Sequence, residues 1–324
     1  MSLEPAEQLV HDGAYFLIGA GASRHLTLDT SRVDFPLGVD LLENFSIEIA
    51  NSESAHSEPL PAKQKVWFEK NKNSHNSIDS VLHAAHEEGF KEIIDIGRVF
   101  VDRSISEAEA EALKNREQFV VPWVKRLLDF STKDARCYEQ AWERIRPPYE
   151  DSNELTFHTL NYDRVVEFSF LNYLSDRFPN ERGEIENDLD NEMVRHLHGS
   201  LGTLKERPFG EPLKAESSTI RFWFEKSSSP HSWSIQNRLI DLRKNCVFLG
   251  FGFHEQITSR IAVPNRPVKF YVNDFKGSEK SKVKKFLSSL RACAAVPTKD
   301  YSHEVIDALV ADYETIANDR HLNR

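Results

Sequence analysis

The sequence predicts an α/β fold, a parallel sheet flanked by helices and interrupted by a helical insertion. Three observations carry that prediction. Short, largely apolar runs recur at Tyr15–Ile18, Leu155–Thr159, Cys246–Leu249 and Val268–Val272, as strands covered on both faces require. Stretches of helical spacing alternate with them, which is how parallel strands are connected. The runs lead into Gly, Asn or Asp, residues suited to turning the chain at a strand's carboxyl end.

Tyr15-Phe-Leu-Ile18 runs directly into Gly19-Ala20-Gly21-Ala22-Ser23. Gly19 and Gly21 permit a sharp turn and a close backbone approach to a ligand. A strand ending this way can present amide groups to a phosphate. Arg24 stands where the dinucleotide fingerprint has its third glycine, and a tight turn that binds nothing has the same composition. Residues 24–38, rich in Thr, Asp and Ser, read as an irregular loop. Apolar residues at 41, 42, 45, 47 and 49 give Asp40–Ala50 helical spacing, and 51–61 is a polar break.

From about 66 to 145 the chain reads as helices almost throughout. Ser77 is placed to cap one of them, Ser106–Lys114 is strongly helical, and Pro122 suits a first turn. Pro147-Pro148 closes this region. The expected organisation is a sheet core from residues 1–44 and 151–324, with 45–150 as a helical insertion. Beyond it come the strand Leu155–Thr159, a helix Arg164–Leu174 and a short segment Met193–Leu197. A polar stretch at 205–218, a helix near 232–243 and the last two strands follow.

With 324 residues, 40% hydrophobic and 28% charged, the chain has the composition of a soluble globular protein. A net charge of −10 argues against direct nucleic-acid binding, and the Lys-rich segment 277–285 reads as the solvated start of a helix. No run approaches the ~20 apolar residues of a membrane helix, and the first residues lack a signal peptide's pattern, so a cytoplasmic protein without membrane contact is expected. Cys137, Cys246 and Cys293 form no C-x-x-C pair and are read as buried reduced thiols, with no zinc expected. His83 and His86 have ligand-compatible spacing on a helix but no third ligand in register, so a solvated face is expected there. Trp67, Trp123 and Trp142 are expected in the core or an interface.

Ligands of open parallel sheets sit beyond the strands' carboxyl ends. Those ends carry Gly19-x-Gly21-x-Ser23, Asn161-Tyr162-Asp163, Gly250-Phe251-Gly252 and Asn273-Asp274, with His198-Gly199-Ser200 as a fifth polar cluster. Asn161 could equally cap the helix that follows. His196 and His198 would share one face of a strand, leaving one of them structural, and Gly199 after His198 favours His198 as the active one. His254 reads as a surface or supporting residue.

In that order, Gly19-Ala-Gly-Ala-Ser23, Thr159-Leu-Asn-Tyr-Asp163, His196-Leu-His-Gly-Ser200 and Phe248-Leu-Gly-Phe-Gly252 resemble the motifs of sirtuin-like NAD-binding domains. They are most similar to the prokaryotic sirtuin-like NADases of anti-phage defence. The resemblance covers most of the chain and only loosely the helical segment near 45–150. It implies a Rossmann-like domain taking NAD⁺ as substrate. Asn161 would orient a water or the nicotinamide ribose, His198 would be the general base, and Asp163 would contact the nicotinamide amide. Gly19, Ala20, Gly21, Ser23, Gly199, Ser200, Gly250, Phe251, Gly252 and Asn273 would hold the rest of the dinucleotide. The four-cysteine zinc module of sirtuin deacylases is missing from this sequence, and so is their Gly-Ile-Pro-Asp-Phe-Arg run, for which Phe35-Pro36 stands as a displaced counterpart. That shifts the expected reaction from deacylation to NAD⁺ hydrolysis. ADP-ribosyl transfer, or a non-catalytic module that senses NAD⁺ or ADP-ribose and gates a partner, are the alternatives. The resemblance also implies control by homo-oligomerisation or by a partner such as a HerA-type ATPase or an Argonaute-type protein.

Overall fold

In the computed structural model, the structure describes residues 4–28, 31–51, 60–115, 118–146, 155–190, 193–197, 199–212, 220–222, 224–225, 245–252, 258, 268–272, 283, 293–295 and 302–322. The helix expected near 232–243, the polar stretch from 213 to 218 and nearly all of 277–285 lie outside the described residues, as do His198, His254, Asn273 and Asp274.

Helix α1 (Pro5–Asp12) leads into strand β1 (Ala14–Ile18), all five of whose residues are buried. The stretch expected as an irregular loop folds instead as an antiparallel hairpin, β2 (His25–Leu28) with β3 (Ser31–Asp34), His25 opposite Asp34. Phe35 N–H donates to the Arg24 carbonyl at 3.1 Å, and buried Val33 and Phe35 anchor the hairpin in the core. Four helices follow: α2 (Gly38–Asn51), α3 (Ala62–Asn71), α4 (Ile78–Glu87) and α5 (Lys91–Asn115). Ser77 caps α4 as its sequence position predicts, its hydroxyl accepting from Ser80 N–H at 3.3 Å, an arrangement worth about 1 kcal/mol. Pro122 opens α6 (Pro122–Ser131), and α7 (Tyr138–Ile145) follows. The remaining elements are β4 (Leu155–Thr159), α8 (Val165–Arg177), α9 (Arg182–Asp190), β5 (Val194–His196), β6 (Asn245–Leu249), β7 (Val268–Val272), β8 (Cys293–Ala295) and α10 (Ser302–Leu322).

Six strands form one sheet in the order β5-β4-β1-β6-β7-β8, and every pairing is parallel. Numbered along the chain, those six strands run third, second, first, fourth, fifth, sixth. This is the doubly wound, Rossmann-like order, in which the direction of winding reverses between β1 and β6. Because all six strands point the same way, the loops after β1, β4, β5 and β6 gather on one edge. Among the described residues no helix is long and apolar enough to cross a membrane.

The helical region divides between two cores. Leu41, Phe45, Phe68, Val81, Leu82 and Phe100 from α2–α5 form one, joined by Tyr162, Leu201, Ile220, Phe222 and Phe224 from later in the chain. The other lies on one face of the sheet, where Phe16, Ile18, Phe157 and Val247 meet α1, α8, α9 and α10. Helices α6 and α7 belong to this second core through Trp123, Val124, Leu127, Leu128, Tyr138 and Ile145. The expected insertion of 45–150 is therefore narrower in structural terms, because its last third builds the sheet's own helical layer. Trp123 is buried there, while Trp67 and Trp142 are partly buried, one against each core. Of the thiols, Cys246 is buried and Cys137 half-buried; the side chain of Cys293 lies outside the description.

Where the winding reverses, the two glycine turns press backbone to backbone. Gly19 N–H donates to the Leu249 carbonyl at 2.8 Å and Gly21 N–H to the Gly250 carbonyl at 3.1 Å. Gly250 has φ +59°, and a Cβ there would lie 1.9 Å from the Ala22 nitrogen. Gly250→Ala combines a left-handed backbone with an overlap no rotamer relieves, and a cost of about 4 kcal/mol or more is expected in urea denaturation. Gly89, with φ +74° and no atom within 4 Å of an added Cβ, is the control, and Gly89→Ala should cost only about 1–2 kcal/mol.

Candidate functional site

The site is built on the five-residue connection from β4 to α8, residues 160–164. Leu160 N–H donates to the Ile18 carbonyl at 2.8 Å, continuing the ladder one residue past the strand. Thr159 Oγ1 accepts from Asn161 N–H at 3.0 Å and so turns the chain toward the crevice. The next four side chains leave in three directions. Asn161 Nδ2 donates to Ser23 Oγ at 3.4 Å, and Ser23 Oγ donates to Asp163 Oδ1 at 3.1 Å. Tyr162 points away into the helical core, its hydroxyl donating to Asp79 Oδ1 at 2.5 Å. Arg164 enters an ion pair with Glu109 of α5.

Asn161 is 3% exposed, and its Oδ1 accepts no hydrogen bond among the described residues. A buried amide oxygen left this way costs about 1–3 kcal/mol, so it calls for a donor from outside the described residues. A ligand N–H, a ribose hydroxyl or a water would each satisfy it.

Asp163 is as buried as Asn161. Burial pushes its carboxyl up to about 7; Glu109 and Glu167 act in the same direction, while Val165 N–H and His196 pull the other way. Ser23 and Val165 N–H both donate to Oδ1, the latter at 3.2 Å. The structure thus gives Asp163 and Ser23 to each other, where the sequence suggested direct ligand contacts for both.

His196 ends β5 opposite Thr159. Its Nδ1 donates to the Asn161 carbonyl at 2.7 Å, and its Nε2 lies 2.5 Å from Glu167 Oε1. Burial alone lowers the imidazole's pKa, but Glu167, the Asn161 carbonyl and Asp163 outweigh it and hold the ring above its ordinary value. His158 on β4 shows the contrast. It faces the other side of the sheet beside the Tyr15 hydroxyl, and burial, with Arg195 nearby, takes it down to about 4. The two histidines, on adjacent strands, are shifted in opposite directions because only His196 has a carboxylate beside it.

The glycine turns do a different job from the one expected. The amides of Gly19, Gly21, Ala22 and Ser23 all donate within the protein, the last two to the Gly19 and Ala20 carbonyls. Packing against β6's turn accounts for the glycines, and Phe251 fills the space beside Phe248, their ring centroids 5.5 Å apart. Gly199 is likewise a packing glycine, since its Cβ would lie 2.2 Å from the Arg221 nitrogen; its N–H donates to the Arg221 carbonyl at 2.9 Å. Ser200 Oγ accepts from Gly202 N–H at 3.2 Å, closing the turn. Gly252 also lies on the crevice edge, one residue beyond Phe251.

Behind the site, Arg164 and Glu109 pair through Nη2–Oε2 at 2.6 Å and Nε–Oε1 at 3.3 Å, both side chains almost wholly buried. Glu109 also accepts from the amides of Arg164 and Gly210, each at 3.0 Å. Arg164 donates onward to the carbonyls of Thr203, Arg207 and Pro208. Arg207 in turn pairs with Asp102 at 2.9 Å. Sequence reading missed Glu109, Arg164 and Glu167. Glu167 left a signal, a single carboxylate inside Val165-Val-Glu-Phe-Ser-Phe-Leu171; Glu109 left none, sitting between Glu107 and Glu111, which are exposed. His83 and His86 lie on the solvated helix face expected of them, His86 exposed and His83 partly so, with the Phe224 ring beside them at centroid distances of 5.3 and 5.1 Å.

No family model matches this chain, and no curated protein matches it in sequence.

The raised Asp163 pKa fixes a pH dependence. An unfolded Asp loses its proton near ~3.9, whereas the folded one keeps it to about 7, so the native state binds more protons in between and loses stability as pH rises. Asp163→Asn removes this effect. Its stability relative to the parent should improve by roughly 2–3 kcal/mol between pH 5 and pH 8, measured by urea denaturation at both.

Proposed function

We propose that this chain cleaves the N-glycosidic bond of NAD⁺, releasing nicotinamide and ADP-ribose, as the sirtuin-like motifs imply. The observation that carries the reading is the placement of Asn161. Its carboxamide oxygen, which accepts no hydrogen bond among the described residues, stands at the carboxyl edge of a sheet wound in dinucleotide-binding order, beside the point where the winding reverses.

Cleavage at C1′ passes through an oxocarbenium-like state with neutral nicotinamide leaving. The protein therefore has to place a nucleophile and stabilise positive charge, rather than supply a strong acid. Asn161 Oδ1 suits a water or a ribose hydroxyl as donor, and the Ser23–Asp163 pair fixes the amide's other end. His198, two residues past the end of β5 in the sequence, is the general base on this reading. Asp163 acts through Ser23 on this reading, as a support. The remaining motif residues, Asn273 among them, would line the dinucleotide site on this reading. With three cysteines in the sequence, a four-cysteine zinc module cannot be assembled from this chain, which favours water as acceptor over an acyl-lysine.

On the same reading the protein is a cytoplasmic effector of prokaryotic anti-phage defence that depletes NAD⁺, acting as a homo-oligomer or with a HerA-type or Argonaute-type partner. Exposed apolar side chains on the helical region, Ile47 of α2 at 59% and Val66 of α3 at 54%, are residues such a contact could cover.

Nicotinamide release from NAD⁺ by the purified protein tests the proposal. Asn161→Ala and His198→Ala should each lower turnover by on the order of 10²-fold or more, with thermal unfolding unchanged. Undiminished release in both variants would remove the site assignment.

A further inference from the structure

Two buried ionisable side chains at the site have no part in the reaction just described. Glu167 stands in the first turn of α8, and His196 is the last residue of β5. The strand register puts His196 opposite Thr159, on the sheet face that α8 covers. Its two ring nitrogens face two acceptors, the Glu167 carboxylate and the Asn161 carbonyl. An imidazole donates from both nitrogens only as the cation. The side chains are 10% and 12% exposed, so solvent screens the pair little.

Asn161 is therefore gripped at both ends. On the side-chain end stand Ser23 and Asp163. On the backbone end stands His196, itself held by Glu167. The carbonyl that His196 holds belongs to the same residue whose Oδ1 has no donor among the described residues. Rotation of that peptide would swing the carboxamide out of the crevice. The titratable groups facing His196 are Glu167 from α8 and Asp163 from the β4–α8 connection.

We propose that Glu167 and His196 are a positioning pair for Asn161, an ion-paired clamp that sets the direction of its carboxamide at the reacting centre. The kinetic consequence rests on the NAD⁺-cleaving reading; the clamp itself does not. A pair that merely stabilised the fold would leave the Asn161 side chain indifferent to the charge on His196.

The test is a pH titration of protein selectively ¹⁵N-labelled at His and Asn, from pH 5 to 10, with Asn161 and His196 assigned from the spectra of Asn161→Ala and His196→Gln. In the parent protein the His196 ring should titrate above the ordinary histidine range, and the Asn161 side-chain amide should shift with the same midpoint. Glu167→Gln should lower that midpoint by at least about one pH unit, a tenfold change in proton affinity. His196→Gln should abolish the pH dependence of the Asn161 amide, which keeps the test decisive if Glu167→Gln does not fold. In nicotinamide release, Glu167→Gln should reduce kcat by on the order of tenfold with KM little changed, and should move the alkaline limb of the pH profile down with the His196 midpoint. An Asn161 amide that ignores the His196 titration overturns the clamp, as does an unchanged kcat beside a shifted midpoint. A parent protein that releases no nicotinamide overturns the NAD⁺-cleaving reading instead, and the Asn161 amide still decides the clamp.

Discussion

The buried pair of Arg164 and Glu109 is the constraint on which the site hangs. Removing two charges from water costs several kcal/mol per ion, and their mutual attraction offsets this only when every remaining donor and acceptor is satisfied. Here they are matched closely. Glu109 takes two backbone amides besides the guanidinium, and Arg164 reaches three carbonyls of the 203–208 segment. An apolar pair of equal volume could match the stability. It could not fix α5, the start of α8 and the 203–210 segment in one geometry, and that geometry directs Asn161.

The connection between β4 and α8 is short, yet its side chains reach most of the molecule. Tyr162 is part of the helical core and bonds to Asp79; Asp163 and Asn161 meet Ser23 from the loop after β1; Arg164 meets α5. The helical core is tied a second time by the 220–225 segment. Arg98 pairs with Glu225 and lies 5.4 Å from the centre of the Phe222 ring, while the Arg221 backbone holds Gly199. The candidate site is thus braced from both cores, and its loops carry less conformational freedom than their lengths suggest.

Much of this was legible in the sequence where one residue type decides the outcome. Apolar runs gave β1, β6 and β7 nearly to the residue, and Ser77 and Pro122 marked helix starts because capping and a missing N–H are local matters. The β2–β3 hairpin was hidden because its strands, His25-Leu-Thr-Leu28 and Ser31-Arg-Val-Asp34, are only four residues each and Asp29-Thr30 between them lacks the glycine of a typical hairpin turn. The allocation of α6 and α7 to the sheet was hidden for another reason. An amphipathic stripe says that a helix buries a face and not which core receives it. At the site, the described motif residues after β1, β4, β5 and β6 lie at the strands' carboxyl ends, but their contacts are long-range facts. Gly19 and Gly21 serve the approach of β6's turn, and Glu167 meets His196 across 29 positions of sequence.

The division of the helices between two cores bears on how such a chain could have been put together. An insertion acquired as a cassette should lift out cleanly, leaving its host's interior intact. Residues 45–150 would not. Their excision takes α6 and α7 from the sheet's flank and removes Glu109, stranding the Arg164 cation in a dry interior. It also strips the partners of Tyr162, Phe222 and Phe224, which lie outside the excised span. The cap and the sheet are one inheritance: neither could be exchanged with a relative unless the residues that stitch them travelled along.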